Sequence, residues 1–410
     1  MTTTQELPPA AQQQAAAGAH LLSRRARAVP PATGFGPRPA APVPGTIGLH
    51  GGVPGAAALP LAELSRAFAE ELADPAAPAL RYSVPLGVPE LREWIGAHEG
   101  VDPRRVVVTN GALHALALLF DALLDPGDVV AVENPTYPLV LTLLRQRRAE
   151  VLPVTTGPQG LDVDALEDAL RAGARPKVLY TIPDFHNPTG ASQPLAVRHR
   201  LVELAERYGF LLLSDNPYRE LRFDGGRTPD LDPASGNVLH VNTFSKTLGP
   251  GLRLGWITGP EWVVPALQDA RRDSDQHTSL VVQRSVLRFL RAPGAYETSL
   301  ARTRAVLAQR HEALRAAVRR ELDGVVELPA VDGGIFSWGR VLDPGTDLER
   351  ALEVARQNAV DFPLGRYFSP AGPHELTDRF RWGFSDLTPG ELDEAVHRVA
   401  VALASPLARR

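Results

Sequence analysis

The stretch 238–258, VLHVNTFSKTLGPGLRLGWIT, carries an apolar run into a serine–lysine pair, then a glycine-rich turn, an arginine and a second apolar run. Short apolar runs bounded by turn residues read as buried strands. VLHVNTF (238–244) and LRLGWIT (252–258) are therefore expected to be strands, with Lys246 just past the end of the first. Lys246 and Lys177 are the only lysines, against a Lys+Arg total of 43. Nearly every other cation is arginine, whose guanidinium stays protonated and cannot serve as a nucleophilic amine. A lysine kept on that background points to a need for an amine. A plain surface lysine would read the same locally, so the rest of the chain must decide.

Working outward, the same alternation recurs. VVVT (106–109) precedes a helical pattern through Phe120. VVAV (129–132) and EVLPV (150–154) lead to a helix in DVDALEDALRAG (162–173). KVLYTI (177–182) leads to a helix from Pro194 to Tyr208 and then FLLLS (210–214). Strands alternating with helices at this spacing predict an α/β fold with a mostly parallel sheet clad by helices. Leu61 to Leu72 reads as an amphipathic helix. After Pro260 long helices run to Leu322, followed by strand-like VVELP (325–329), IFSWGRV (335–341) and FRWGFS (380–385). A helix near 347–359 and another from Pro389 to about Ala404 complete a second, smaller α+β unit. Residues 1 to 18 are Ala/Gln-rich and expected to fray, His20 to Val29 has a short helical pattern, and Pro30 to Pro44 is too rich in Pro and Gly for regular structure. The expected division is an N-terminal arm (1–45, partly disordered), a large domain (46–290) and a small C-terminal domain (291–410) to which the N-terminal segment contributes.

Bulk properties narrow the function. A chain of 410 residues exceeds one typical core. A formal net charge of −4 offers no electrostatic case for nucleic acid or an anionic membrane as partner. Cysteine is absent, which excludes disulfides and thiolate metal sites, and no metal site is expected. There is no apolar run of about 18 residues to span a bilayer, and MTTTQELPPAAQQQAAAG has no basic start followed by an apolar core. A cytoplasmic protein is the expectation.

In open α/β sheets ligands collect at the carboxyl ends of the strands. After VVVT comes Asn110-Gly111-Ala112-Leu113-His114, a glycine at a helix start, where free N–H groups can bind a phosphate. After VVAV comes Glu133-Asn134-Pro135-Thr136-Tyr137, which brings an aromatic ring. After KVLYTI comes Asp184-Phe185-His186-Asn187-Pro188-Thr189-Gly190, a rigid turn presenting an amide. After FLLL comes Ser214-Asp215-Asn216-Pro217-Tyr218, an acid with a phenol three residues on. After VLHVN comes Lys246. Each alone is an ordinary polar turn; in succession they supply what pyridoxal phosphate requires. A buried carboxylate, Asp215, would hold a proton on the ring nitrogen. Tyr218 and Asn187 would hydrogen-bond the phenolic oxygen, and Tyr137 would stack on the ring. Thr243, Ser245 and Arg253 would complete a phosphate cup, and Lys246 would move the substrate α-proton.

With these motifs in order, the chain resembles fold-type I pyridoxal-phosphate enzymes of the class I/II aminotransferase family. It is most similar to the branch of 2-aminoadipate and multi-substrate aminotransferases and the aminotransferase-like domains of some bacterial regulators. The resemblance covers roughly Gly48 to Ala404 and rests on Gly52-Val53-Pro54, Tyr82-Ser83-Val84-Pro85-Leu86-Gly87, Asn187-Pro188-Thr189-Gly190, Ser245-Lys246, Arg253-Leu254-Gly255 and Arg381-Trp382-Gly383. It implies a three-layer α/β/α large domain with a smaller α+β domain, and Lys246 as the Schiff-base lysine. It implies Gly111, Ala112, Leu113, Thr243, Ser245 and Arg253 around the phosphate, with Gly52, Asn187 and Arg381 at the substrate and Arg381 clamping its α-carboxylate. Tyr82 would reach the cofactor phosphate of the neighbouring subunit, which implies a homodimer with shared sites. Arg379 lies two residues from Arg381 on the same face, so a register slip is a second possibility.

Departures from the branch's pattern concentrate near the expected cofactor. His186 stands where glutamine is usual, and Leu113-His114 replace a glutamine pair. A histidine beside the cofactor would add a group that titrates near neutral pH. The expected activity is amino transfer between an α-amino acid and a 2-oxo acid. The alternatives are elimination, replacement, cyclisation or carbon–carbon bond formation with the same cofactor, or a ligand-sensing regulatory module. The Arg24-Arg25-Arg27 cluster is a candidate for a distal substrate carboxylate or simply a solvated face, and Phe336 and Trp338 hint at an apolar wall.

Overall fold

The computed structural model describes residues 19–23, 35–37, 41–75 and 79–409. The Arg24-Arg25-Arg27 cluster and most of the His20–Val29 segment lie outside them. The strands in chain order are β1 (Ile47–Gly48), β2 (Val106–Thr109), β3 (Val129–Asn134), β4 (Glu150–Gly157), β5 (Gly160–Leu161), β6 (Val178–Thr181), β7 (Leu211–Asp215), β8 (Val238–Thr243), β9 (Gly255–Thr258), β10 (Val326–Glu327), β11 (Phe336–Val341), β12 (Val360–Asp361) and β13 (Arg379–Gly383).

One eight-stranded sheet has the order β2-β9-β8-β7-β6-β3-β4-β5. Its central run β8-β7-β6-β3-β4 is parallel, and β9 runs antiparallel between β2 and β8. Both faces are covered, so the strands read as continuous apolar runs, and alternate residues serve opposite cores. Val178 and Tyr180 of β6, Leu213 of β7 and Val241 of β8 face one cluster with Leu116 and Phe120 of the helix Ala112–Leu123. Leu179, Leu212 and Val238 face the other, against Leu166 of the helix Val163–Arg171 and Leu201 and Leu204 of the helix Leu195–Tyr208. A third cluster buries the helices Leu61–Ala73, Pro89–Glu99 and Leu280–Arg291 against Val106, Val108 and Trp256. These layers form the three-layer α/β/α arrangement of the fold.

The helix Ala295–Glu321 leads into a three-stranded antiparallel sheet, β10-β11-β13, in which Trp338 pairs with Arg381. The helices Leu348–Gln357 and Pro389–Ala404 back this sheet. The second of them starts in a capping box of Thr388 and Glu391. β1 pairs in parallel with β12, so the N-terminal segment is stitched to the C-terminal unit. That pairing sets His50, Gly51 and Gly52 beside β13: a Cβ on Gly51 would stand 2.9 Å from the Gly383 backbone.

Several elements differ from the sequence expectation, among them the helix Pro138–Gln146 and the two-residue strands β1, β5 and β12, where no element was expected. Pro89–Glu99 is a helix although no helix was expected there, with Pro89 in its first turn and Gly100 in the left-handed conformation after its end. The second strand of the opening stretch starts at Gly255, because Arg253 adopts a positive φ of 49°.

Candidate active site

The parallel strands end on one edge, and their terminal turns enclose a cavity of about 190 Å³. Ala112, Leu113, Tyr137, Asn187, Asp215, Tyr218, Thr243, Ser245, Lys246 and Arg253, all expected from the sequence, line it. Leu116, Ile182, Pro217 and Pro250, none of them expected, add apolar wall. Lys177, the other lysine, is instead a surface residue paired with Asp128 at 2.7 Å.

One end of the cavity gathers donors of the kind a phosphate takes. Gly111 precedes the helix Ala112–Leu123 with φ 82°, and no side chain caps that end. The first N–H groups of the helix therefore lack intrahelical partners. A Cβ on Gly111 would meet Arg253 Nη2 at 2.7 Å, so only glycine lets the guanidinium lie against the turn. Arg253 donates to the Asn110 carbonyl at 3.0 Å. The Thr243 and Ser245 hydroxyls are 2.8 Å apart, and Ser245 N donates to Thr243 Oγ1 at 3.1 Å. His114 does not line the cavity; its Nδ1 accepts from the Asn110 N–H at 3.0 Å. Burial holds the His114 pKa below the usual histidine range, helped by Arg271 and Arg253 and opposed by Asp275. It thus acts as a neutral acceptor holding the turn.

At the other end Asp215 is 3% exposed. Its Oδ2 accepts from the Tyr180 hydroxyl at 2.7 Å, while Oδ1 has no hydrogen-bond partner among the described residues. Desolvation pushes its pKa up to about 6, opposed by the Tyr180 hydrogen bond and by Lys246. An unpartnered buried carboxylate oxygen is the acceptor that a protonated pyridine nitrogen needs. Lys246 Nζ donates to the Gly52 carbonyl at 2.5 Å and lies 5.9 Å from the centre of the Tyr218 ring. Desolvation pulls its pKa down to about 8, against the attraction of Asp215 and with Arg381 and Arg253 adding to the pull. Burial holds the Tyr218 phenol well above its ordinary range, and Asn187 hydrogen-bonds it.

Arg381 is buried, and donates through Nη1 to Asn187 Oδ1 at 2.9 Å and through Nη2 to the His50 carbonyl at 2.8 Å. Its guanidinium lies 3.9 Å from the Phe336 ring centre, 5.0 Å from that of Phe35 and 5.1 Å from that of Phe368. Arg379 is only half-buried and its Nε stands 3.8 Å from Asp378, whereas Arg381 reaches Asn187 of the cavity wall. Trp338 packs edge-on against Phe368. Tyr82 is 86% exposed and does not line this cavity.

One expectation is corrected. His186 is fully buried behind the Asn187 turn rather than beside the cofactor site. Its Nε2 lies 3.1 Å from Glu133 and its Nδ1 2.9 Å from the Thr189 hydroxyl. Glu133 also accepts from Thr181, the Ile182 N–H and Gln193. The imidazole is consumed in bracing the turn that presents Asn187. Tyr180, by contrast, was read only as part of a strand, and no local signal marks its hydroxyl.

A lysine of depressed pKa, a bare helix N-terminus with hydroxyls and a guanidinium, and an orphaned buried carboxylate together fit pyridoxal phosphate. They define a pyridoxal-phosphate-dependent transferase of the aspartate-aminotransferase-like fold. The sequence profile of aminotransferase class I and II matches residues 51–399, and the chain belongs to that family. It is an enzyme that transfers amino groups with pyridoxal 5'-phosphate as cofactor. A 2-aminoadipate transaminase of Thermus thermophilus is 32% identical over 370 residues, 89% of this chain and 92% of its own length. Aromatic-amino-acid aminotransferase 1 of Thermococcus litoralis is 30% identical, over 86% and 87% of the two chains. Among solved structures, the alpha-aminoadipate aminotransferase LysN of Thermus thermophilus, complexed with N-(5'-phosphopyridoxyl)-L-leucine, superposes with a TM-score of 0.86. It is 30% identical, with 94% of this chain and 97% of that one covered.

Proposed function

We propose that Lys246 is the attachment point for the cofactor aldehyde and the proton carrier of an aminotransferase acting by two half-reactions on an α-amino acid and a 2-oxo acid. The observation that carries this reading is the convergence of Lys246, Asp215 and the Asn187–Arg381 pair on one cavity. When bound, pyridoxal phosphate withdraws electrons from the substrate α-carbon and carries the amino group between half-reactions. Asp215 Oδ1 would hold the proton on the ring nitrogen, Tyr218 and Asn187 the phenolic oxygen, and Tyr137 a ring face. Gly111, Ala112, Leu113, Thr243, Ser245 and Arg253 would hold the phosphate.

Arg381 would take the substrate α-carboxylate in a two-pronged, charge-assisted grip. Lys246, with a pKa near 8, is matched to lifting a proton from the α-carbon and delivering it to the former aldehyde carbon of the cofactor, on the far side of the shared nitrogen. Gly52 would border the substrate through the carbonyl that now holds Lys246. The rings of Phe35, Phe336 and Phe368 around Arg381 support amino acids with apolar or aromatic side chains as substrates. The reading includes a large domain over 46–290, a small one over 291–410, and a cytoplasmic homodimer in which Tyr82 serves the partner's site. The exposure of Tyr82 supports that placement. The elimination or cyclisation alternative leaned on His186 as an added acid–base group, and its burial against Glu133 removes that support.

The test is borohydride reduction of the purified protein followed by peptide mapping, together with absorbance during an amino-acid screen. A reduced pyridoxyl adduct on the Lys246 peptide and stoichiometric conversion to pyridoxamine phosphate are expected. Lys246→Ala should lose the adduct and about 10²–10⁴-fold or more of turnover. An adduct elsewhere, or near wild-type turnover in Lys246→Ala, would overturn the assignment.

A further inference from the structure

Tyr180 sits on β6 opposite Leu213 of β7, so its side chain shares a sheet face with Leu213 and, two residues on, Asp215. It is fully buried, and a buried phenol must find an acceptor. It finds Asp215 Oδ2 at 2.7 Å. The contact occupies one carboxylate oxygen and leaves the other, Oδ1, at the cavity wall with no partner among the described residues. We propose that Tyr180 is a positioning residue, whose hydroxyl keeps the Asp215 carboxylate ionised and turned so that Oδ1 faces the cofactor ring. This rests on the reading that Asp215 meets the ring nitrogen.

The physical need is clear from the surroundings of Asp215. Its titratable neighbours are Tyr180 from β6, Tyr137 from the turn after β3, Tyr218 from the turn after β7 and Lys246 from the turn after β8. Lys246 alone among these is cationic. Desolvation drives Asp215 toward the neutral acid, which cannot anchor a protonated pyridine; the Tyr180 hydroxyl opposes that drive. A hydrogen-bond donor stabilises the anion, so removing it must raise the pH below which the carboxylate is lost. The rotamer follows the same bond: without it, Oδ1 and Oδ2 become equivalent.

The experiment compares apoprotein of the wild type, Tyr180→Phe, Asp215→Asn and the double variant. The dissociation constant of pyridoxal phosphate is read from tryptophan fluorescence between pH 5 and 8.5. Wild-type affinity should weaken as pH falls through about 6. In Tyr180→Phe that decline should begin about one pH unit higher or more, the effect of losing a hydrogen bond to a buried charge. Any contribution of Lys246 is common to both proteins and cancels. Asp215→Asn should remove the part of the decline centred near pH 6 and leave only what Lys246 contributes, and adding Tyr180→Phe to it should change nothing further. Superimposable wild-type and Tyr180→Phe profiles, or an equal weakening at every pH, would overturn the role of Tyr180. Failure of the wild-type apoprotein to take up the cofactor would instead defeat the assignment of the site itself.

Discussion

Lys177 and Lys246 are chemically the same side chain put to different ends. Lys177 lies in solvent against Asp128, whereas Lys246 lies in a desolvating cavity with a carboxylate and two guanidiniums, where burial pulls its amine pKa down to about 8. Arg381 shows the same dependence on surroundings. It is buried among aromatic rings and donates to the neutral Asn187 amide and His50 carbonyl. A substrate α-carboxylate would give its fork a charged acceptor. Arg381→Lys keeps the charge but loses the fork, and is expected to raise KM for the amino acid about tenfold to a hundredfold with a smaller change in kcat. Steady-state kinetics on the loaded enzyme check this; an unchanged KM would remove Arg381 as the anchor. His186 gives the opposite lesson. Its sequence position beside Asn187 suggested chemistry, yet a residue adjacent in sequence can point to the far side of a turn, and here it braces the loop from behind.

Among the elements, the helix Ala112–Leu123 has the most specific task. Its N-terminus aims unpaired N–H groups and the positive end of its dipole at the cavity. The arrangement depends on Gly111, whose positive φ and missing Cβ let Arg253 close in. Gly111→Ala should strain the turn and displace the guanidinium, at a cost of about 1 kcal/mol for the backbone alone. Pyridoxal phosphate affinity should fall about tenfold, while inorganic phosphate no longer competes measurably with the cofactor. A fluorescence titration decides it, and wild-type affinity in the variant would refute the phosphate assignment. β13 is the second element with a defined task. Gly383 lies so close to Gly51 that an added Cβ would fall 2.4 Å from the Gly51 Cα, and this approach brings Arg381 to the His50 carbonyl.

For the molecule as a whole, the open question is what Tyr82 does at a position so exposed. The proposed dimer answers it by directing the phenol to the neighbouring cofactor phosphate. One inactive and one weakened protein then test the arrangement: Lys246→Ala spoils its own site, and Tyr82→Phe weakens the site of its partner. Since Lys246 and Tyr82 would serve the same site from opposite subunits, mixed dimers place both lesions in one site and leave the other intact. Co-refolded mixtures should regain up to about half a wild-type site complement per mixed dimer, following the symmetry of a two-fold interface. Sedimentation should give twice the chain mass. Additive activities with no rescue, or a monomer of full activity, would defeat the shared-site reading.

Local chemistry was legible where one residue type does one thing in one short segment. The parallel sheet followed from apolar runs separated by helical patterns, and the cavity wall from the turns that close each strand, because strand ends in such a sheet converge whatever the intervening lengths. That Lys246, Asp215, Asn187, Tyr218, Thr243, Ser245 and Arg253 would line one cavity could thus be anticipated from linear order. Only the tertiary structure decided where a side chain turns once its backbone is placed. It sent His186 to Glu133 and away from the cavity, buried Arg381 against Asn187 while leaving Arg379 half-exposed, and brought the Tyr180 hydroxyl from a neighbouring strand to Asp215. Those choices depend on contacts between residues 35 or more positions apart in the cases of Tyr180 and of Arg381 with Asn187. Packing across strands settles them, and no local pattern records it.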